Sequence, residues 1–246
     1  FDLKGDNQEI VNLIRAEAEE GFDKKIKYLR DLLDKKYYSI YAAKKLSEIF
    51  YKDGHYKQAE ECAIKAFNED DTDTEIMISL MRIYAALGSW HKLAFIISKI
   101  GRANAQLLED HGKEISGFYY AAAKATLQAG DDEKALEYLE SALEFDPGYI
   151  EALNLFMELS VNAKNTTGLL KVLKIAFSAK PCFEIARMYA DSSKSSVEAV
   201  YGTLAGMAKP RDYPDLFLAL CAYLGISDKG IISKAPRKIQ DESLKA

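Results

Sequence analysis

Histidine and cysteine, the side chains most suited to acid–base, nucleophilic and metal chemistry near neutral pH, number three each in this 246-residue chain, and their spacing does not suit it. His55, His91 and His111 share no H-x-x-x-H spacing, and a metal site needs convergent ligands. His55 and His91 stand at neighbouring positions of equivalent turns, where exposed polar residues are ordinary. Cys62, Cys182 and Cys221 lie far apart with no C-x-x-C pair, so they read as reduced, mostly buried thiols. The acidic neighbours Glu60 and Glu61, Asp70 and Asp71, and Asp131 and Asp132 would diverge on a helix, which fits solvated faces or caps better than an acid–base pair. Nucleophile elbows, P-loops and glycine-rich phosphate cradles are absent from the sequence. Met77, Met81, Met157, Met188 and Met207 fall at helical positions expected to be packed, and read as core rather than as haem or soft-metal ligands. No catalytic residue, metal ligand or cofactor is expected.

Binding chemistry is better represented. Tyr41, Lys44, Lys45, Tyr51 and Lys52 recur in one stretch; Arg82, Tyr120 and Lys124 follow, and then Asn154 and Glu158. Tyrosine offers a flat apolar body with a polar tip, and lysine or arginine pairs with acidic groups. Gathered on one surface, these residues would suit a protein or peptide segment carrying acidic groups. The bland alternative is that Lys44, Lys45 and Lys52 form an ordinary solvated helix face.

What would gather them is a repeat. Gly54, Tyr56 and Ala59 in "YKDGHYKQAEECAIKAF" are followed about 34 residues later by Gly88, Trp90 and Leu93 in "YAALGSWHKLAFIISKI". Leu46 and Leu80, and Phe50 and Tyr84, keep the same step. A third copy carries Gly130, Ala135, Leu139, Ala142 and Pro147; a fourth carries Ala176 and Pro181, with Lys164 where the turn glycine belongs. Two amphipathic helices joined by a tight turn need a glycine there, and small residues such as Ala59, Ala66, Ala135, Ala142 and Ala176 let the helices approach. Large residues (Phe50, Tyr56, Tyr84, Trp90, Phe145, Phe156, Phe177) then leave each pair a face that only a neighbouring pair can bury. The first helices of the pairs would line the binding surface.

The expected organisation is one helical-repeat domain over residues 1–225. It comprises a divergent unit at 7–39, units at 40–73 and 74–115, the latter with a lengthened linker broken at Gly112 and Gly117, and units at 116–149 and 150–183. A shortened unit at 184–210, capped by Ser195 with Glu198, and a last helix at 212–225, capped by Asp212 with Pro214 in its first turn, complete it. Residues 226–246 read as a mostly disordered tail with one short contact through Ile231 and Ile232. A net charge of −5 argues against a phosphate-coating protein, and a hydrophobic content of 48% argues against disorder as the main state. No run of 18 apolar residues occurs, so the chain reads as soluble. It opens on Phe1 rather than Met, which makes the missing leader uninformative about location.

These repeats resemble the tetratricopeptide family over residues 40–181, with support from about 7 to 224. The resemblance implies an all-α, right-handed superhelical solenoid of antiparallel helix pairs, non-enzymatic and binding partner segments in its concave groove. One variant of that fold grips a C-terminal carboxylate with lysines and asparagines; this chain has Glu48 and Ser79 at those places, so chaperone-tail binding is not expected. Gly88-x-Trp90, the lengthened linker, and "AKP" ending at Pro181 are also similar to the C-terminal region of the HemY family of bacterial inner-membrane proteins. That likeness implies an N-terminal anchor outside this chain and an association with late haem biosynthesis, and it transfers no catalytic residues. The rival readings are a haem or porphyrin carrier, which would need a closed pocket and ligands, and an RNA-binding helical repeat, which the acidic balance disfavours.

Overall fold

A computed structural model describes residues 3–35 and 37–226 of the protein, and among these residues all regular structure is helical. The chain divides into two compact units, Phe1–Asp110 and His111–Ala246. The first holds α1 (Leu3–Ala18), α2 (Phe22–Leu32), α3 (Ser39–Lys52), α4 (Tyr56–Glu69), α5 (Thr74–Ala86), α6 (Trp90–Ala103) and the short α7 (Ala105–Asp110). The second holds α8 (Gly112–Gln128), α9 (Asp132–Phe145), α10 (Ile150–Asn162), α11 (Thr166–Ala179), α12 (Phe183–Ser192), α13 (Val197–Met207) and α14 (Pro214–Leu224).

The repeat is visible in its turns. α3 closes through the His55 amide donating to the Phe50 carbonyl at 2.8 Å, with Gly54 at φ +78°. The same bond joins Ser89 to Tyr84 at 2.9 Å around Gly88, Asp131 to Thr126 at 3.2 Å around Gly130, and Asn165 to Ser160 at 2.8 Å around Lys164. Such a six-to-one bond satisfies a helix carbonyl and needs one left-handed residue, so Lys164 adopts φ +56° although it carries a Cβ. Each turn folds the second helix back on the first, α4 on α3 and α6 on α5 in one unit, α9 on α8 and α11 on α10 in the other.

Small residues set those close approaches. Ala42 and Ala43 of α3, Ala59 and Ala66 of α4, Ala122 and Ala123 of α8, and Ala135 and Ala142 of α9 are all wholly buried. Where α6 carries Leu93 and Ile100 at the equivalent places, both are buried as well. Phe156 and Phe177 are the bulkiest fully buried side chains, and burying each stabilises by about 1.5–3 kcal/mol.

Several local details differ from the sequence reading. The lengthened stretch holds α7, and Gly117 lies inside α8 because a lone glycine weakens a helix without ending it when its neighbours are packed. α13 is capped by Ser196, not Ser195: the helix starts at Val197, so only the Ser196 hydroxyl reaches the Ala199 amide, at 3.3 Å. α14 opens at Pro214 behind Tyr213, with no side-chain cap from Asp212. Met207 is 37% exposed near the end of α13, whereas Met77, Met81 and Met188 are buried. The expected contact by Ile231 and Ile232 lies outside the described residues.

Candidate functional site

Packing α5 beside α3 brings the inner faces of two first helices together. Between them lies a concavity of about 460 Å³ lined by Lys44, Lys45, Ser47, Glu48, Tyr51, Lys52, Glu75, Ser79, Arg82 and Ile83. Helical periodicity explains the set, since Lys44, Ser47 and Tyr51 share one stripe of α3 and Glu75, Ser79 and Arg82 one stripe of α5. Five of the residues expected to bind (Lys44, Lys45, Tyr51, Lys52, Arg82) therefore meet here.

The charges are largely organised by the fold itself. The Lys44 ammonium donates to Asp73 at 2.9 Å and also to Glu75. Partial burial lowers the pKa of Lys44, but the hydrogen bonds and charges of Glu75 and Asp73 outweigh it, and the net shift is upward. Asp73 is the N-cap of α5, accepting from the amides of Glu75 at 2.9 Å and Ile76 at 3.2 Å. Lys52 donates to Glu48 at 2.6 Å, and Lys45 approaches the same carboxylate at 4.0 Å. Glu48 is accordingly held below its usual range, by Lys52 first and then by Lys45 and Lys25. Ser47 is 2% exposed, and its hydroxyl has no partner among the described residues.

Tyr41 does not line this concavity. Its hydroxyl donates to Glu17 on α1, and its ring lies 5.9 Å from the Lys45 ammonium. The remaining expected residues belong to the second unit. Tyr120 on α8 meets Tyr149 edge to face, with centroids 5.2 Å apart, and Lys124 sits 5.7 Å over the Tyr120 ring. Asn154 and Glu158 are exposed on α10, one turn apart.

Sequence reasoning missed Ser47, Glu75, Ile83 and Tyr149. Ser47 and Ile83 are continuous with the stripes already identified, so periodicity alone was a usable signal. Glu75 shares the α5 stripe as well, and packing decides only that it meets Lys44; Tyr149 stands just before α10, where only packing turns it toward Tyr120.

The other groups with chemical potential are occupied or quiet. His55 lies 3.1 Å from Asp53 and His111 2.8 Å from Glu114. Burial pushes the Cys62, Cys182 and Cys221 thiols up, which keeps them protonated and weakly nucleophilic at neutral pH. Among the described residues no three histidines, cysteines or carboxylates converge as a metal site, and no helix is long and apolar enough to cross a membrane.

Stacked helix pairs with a repeated glycine turn and a side-chain-rich inner face define a helical-repeat binding module. The family model described as tetratricopeptide repeat matches residues 16–198, and the chain belongs to that family. Its members are generally protein-interaction scaffolds and typically not enzymes. The uncharacterized protein RP472 of Rickettsia prowazekii is 32% identical over 227 residues, 91% of this chain; the chain spans 65% of that relative's length. Among solved structures, a thermophilic tetratricopeptide protein of Thermus thermophilus, TTC0263, is 20% identical, with 76% of this chain and all of that one covered at a TM-score of 0.33. The structure of MamA is 17% identical, over 70% of this chain and 86% of that one, at 0.42. Pseudomonas aeruginosa PilF is 15% identical, over 90% and 92% respectively, at 0.40.

Proposed function

We propose that the protein is a non-enzymatic interaction scaffold whose α3–α5 concavity takes a partner segment bearing acidic groups. The carrying observation is the convergence of Lys44, Lys45, Tyr51, Lys52 and Arg82, from two helices, around one open space of about 460 Å³. The mechanism is equilibrium binding. The Tyr51 ring offers apolar surface from which a partner side chain displaces water, and Lys45 and Arg82 meet its charged groups. Lys44 takes part by exchange, because a partner carboxylate must displace Glu75 from it while Asp73 keeps its hold. Tyr120, Lys124, Asn154 and Glu158 supply contacts in the second unit on the same reading.

The test starts with a photo-crosslinking residue at position 51, which identifies the partner segment. The purified segment is then titrated by fluorescence anisotropy against the wild type and a Lys45→Ala, Tyr51→Ala, Arg82→Ala variant. A loss of affinity of about tenfold or more is expected, as for truncation of a central aromatic with its charged neighbours. Unchanged affinity would refute the groove.

For the whole protein, the narrower HemY-like reading proposes a bacterial inner-membrane protein, anchored by a segment outside this chain and associated with late haem biosynthesis. Gly88-x-Trp90, the α7 stretch and the Ala179 to Pro181 run support it. Fractionation of the full-length protein should recover it with membranes after a high-salt wash; recovery in the soluble fraction would dispose of this reading.

A further inference from the structure

The second helices carry a pattern that the inner groove does not use. α6 contains no acidic residue, and its face turned away from α5 presents His91, Phe95, Ser98 and Arg102, with Phe95 63% exposed. Phe95 lines a second concavity of about 400 Å³ with Met77 as apolar floor and Asp71, Lys99 and Arg102 around it. Lys99 is tied to Asp71 there, whereas Arg102 forms no hydrogen bond or ion pair among the described residues. The equivalent face of α9 has the opposite chemistry. Glu133, Glu137, Glu140 and Glu144 follow one another at helical spacing and are all exposed. Lys134 pairs with Glu137 at 2.8 Å, but Glu133, Glu140 and Glu144 have no such partner among the described residues. Like charges three and four residues apart on a helix repel, so this stripe gains from a cationic surface laid against it.

We propose that copies of this chain associate head to tail, the Phe95 concavity of one copy receiving the α9 glutamate stripe of another. Charge complementarity selects the occupant. A second copy brings four carboxylates at the spacing of one helix face to a surface whose acid, Asp71, is already paired. The aliphatic stems of those glutamates cover the exposed phenyl ring, and Arg102 and Lys99 meet the carboxylates. Because the two surfaces differ, the contact is heterologous and leaves an unused surface at each end, so association continues to a ring or a chain rather than stopping at a symmetric dimer. The contact belongs to different helix faces from the partner groove and stands whether or not the groove is correctly assigned.

Sedimentation velocity on the full chain, from micromolar to hundreds of micromolar, reads the proposal directly. At low salt the weight-average mass should rise with concentration, and a several-fold loss of the associated form should accompany a move to half-molar salt, since exposed charges are screened. Arg102→Glu, and separately Glu140→Lys with Glu144→Lys, should each weaken association about tenfold while circular dichroism stays unchanged. Mixing the two variants in equal amounts should restore it, because each then supplies the charge that the other lost. A constant monomer mass at low salt overturns the proposal, and so does association that survives both variants. Variants that fail separately and are not rescued by mixing also overturn it.

Discussion

Asp73 is where the architecture and the proposed groove share one side chain, so its replacement is the most informative perturbation. Its carboxylate caps α5 through two backbone amides and holds Lys44 at 2.9 Å. Replacing a cap by alanine costs about 1 kcal/mol, within a range of roughly 0.5–2. The Lys44 pair is only partly shielded, with side-chain exposures of 29% and 21%, so it adds about 0.2–1 kcal/mol. Asp73→Ala should therefore cost about 1–3 kcal/mol, and Asp73→Asn, which keeps an amide-oxygen acceptor for the cap, about 1 or less. Urea unfolding followed at Trp90 reads this in the right place, because the chain's one tryptophan opens α6 of the same unit. A cycle with Lys44→Met should return a coupling of about 0.5 kcal/mol to Asp73. The pH dependence follows from the direction of the shift. Burial pushes Asp73 up, but Lys44 and the Ile76 and Glu75 amides outweigh it, so the carboxyl sits below its ordinary 3.8 in the folded chain. A depressed folded pKa means that this stability is complete above the unfolded value and is lost as pH falls through the folded one. The wild-type advantage over Asp73→Asn should thus shrink below about pH 4 and stay constant between about pH 5 and 8. If Asn costs as much as Ala, or if the difference from the wild type does not change below about pH 4, the assignment of cap and ion pair to this carboxylate is wrong.

Lys164→Gly should stabilise the second unit by about 0.5–1 kcal/mol, because it relieves a left-handed residue that has a Cβ; Gly130→Ala should cost a similar amount, and a thermal melt by circular dichroism reads both. Phe156→Ala, at a site 1% exposed, should cost about 3–5 kcal/mol in the same assay, and a loss under about 1 would mean that the α10 packing is misread. Glu75→Gln leaves Lys44 with Asp73 alone and should tighten an acidic partner segment about threefold by anisotropy, whereas weaker binding would show that Glu75 helps the ligand rather than competes with it. Titration with haem should give no saturable Soret band at one equivalent, and a sharp band lost on a single His or Cys substitution would revive the carrier reading.

The repeat is legible in the sequence because its determinants are local. A tight turn between helices needs a left-handed residue, glycine supplies it most readily, and the spacing of Gly54, Gly88 and Gly130 alone marks three turns. The period also assigns a turn to Lys164, where residue type alone argues against one. Helical periodicity likewise puts Lys44, Tyr51 and Arg82 on inward faces. What periodicity does not contain is the rotation and offset of one helix against the next. Those depend on which side chains interlock, and they decide that Lys44 is held by Asp73 and Glu75 from the following pair, and that Tyr41 turns to Glu17 rather than into the concavity. They also leave the Ser47 hydroxyl buried at the groove wall. Cap positions move for a smaller version of the same reason, since the cap belongs to whichever residue lies one before the first helical amide, and packing sets that start at Val197. The sequence by itself thus determined the repeating unit, the stripe each residue occupies and the pairs within one helix, such as Lys52 with Glu48, while the partners of Lys44 and Lys99 were decided by tertiary packing, because those pairs form across helices whose relative placement no single helix encodes.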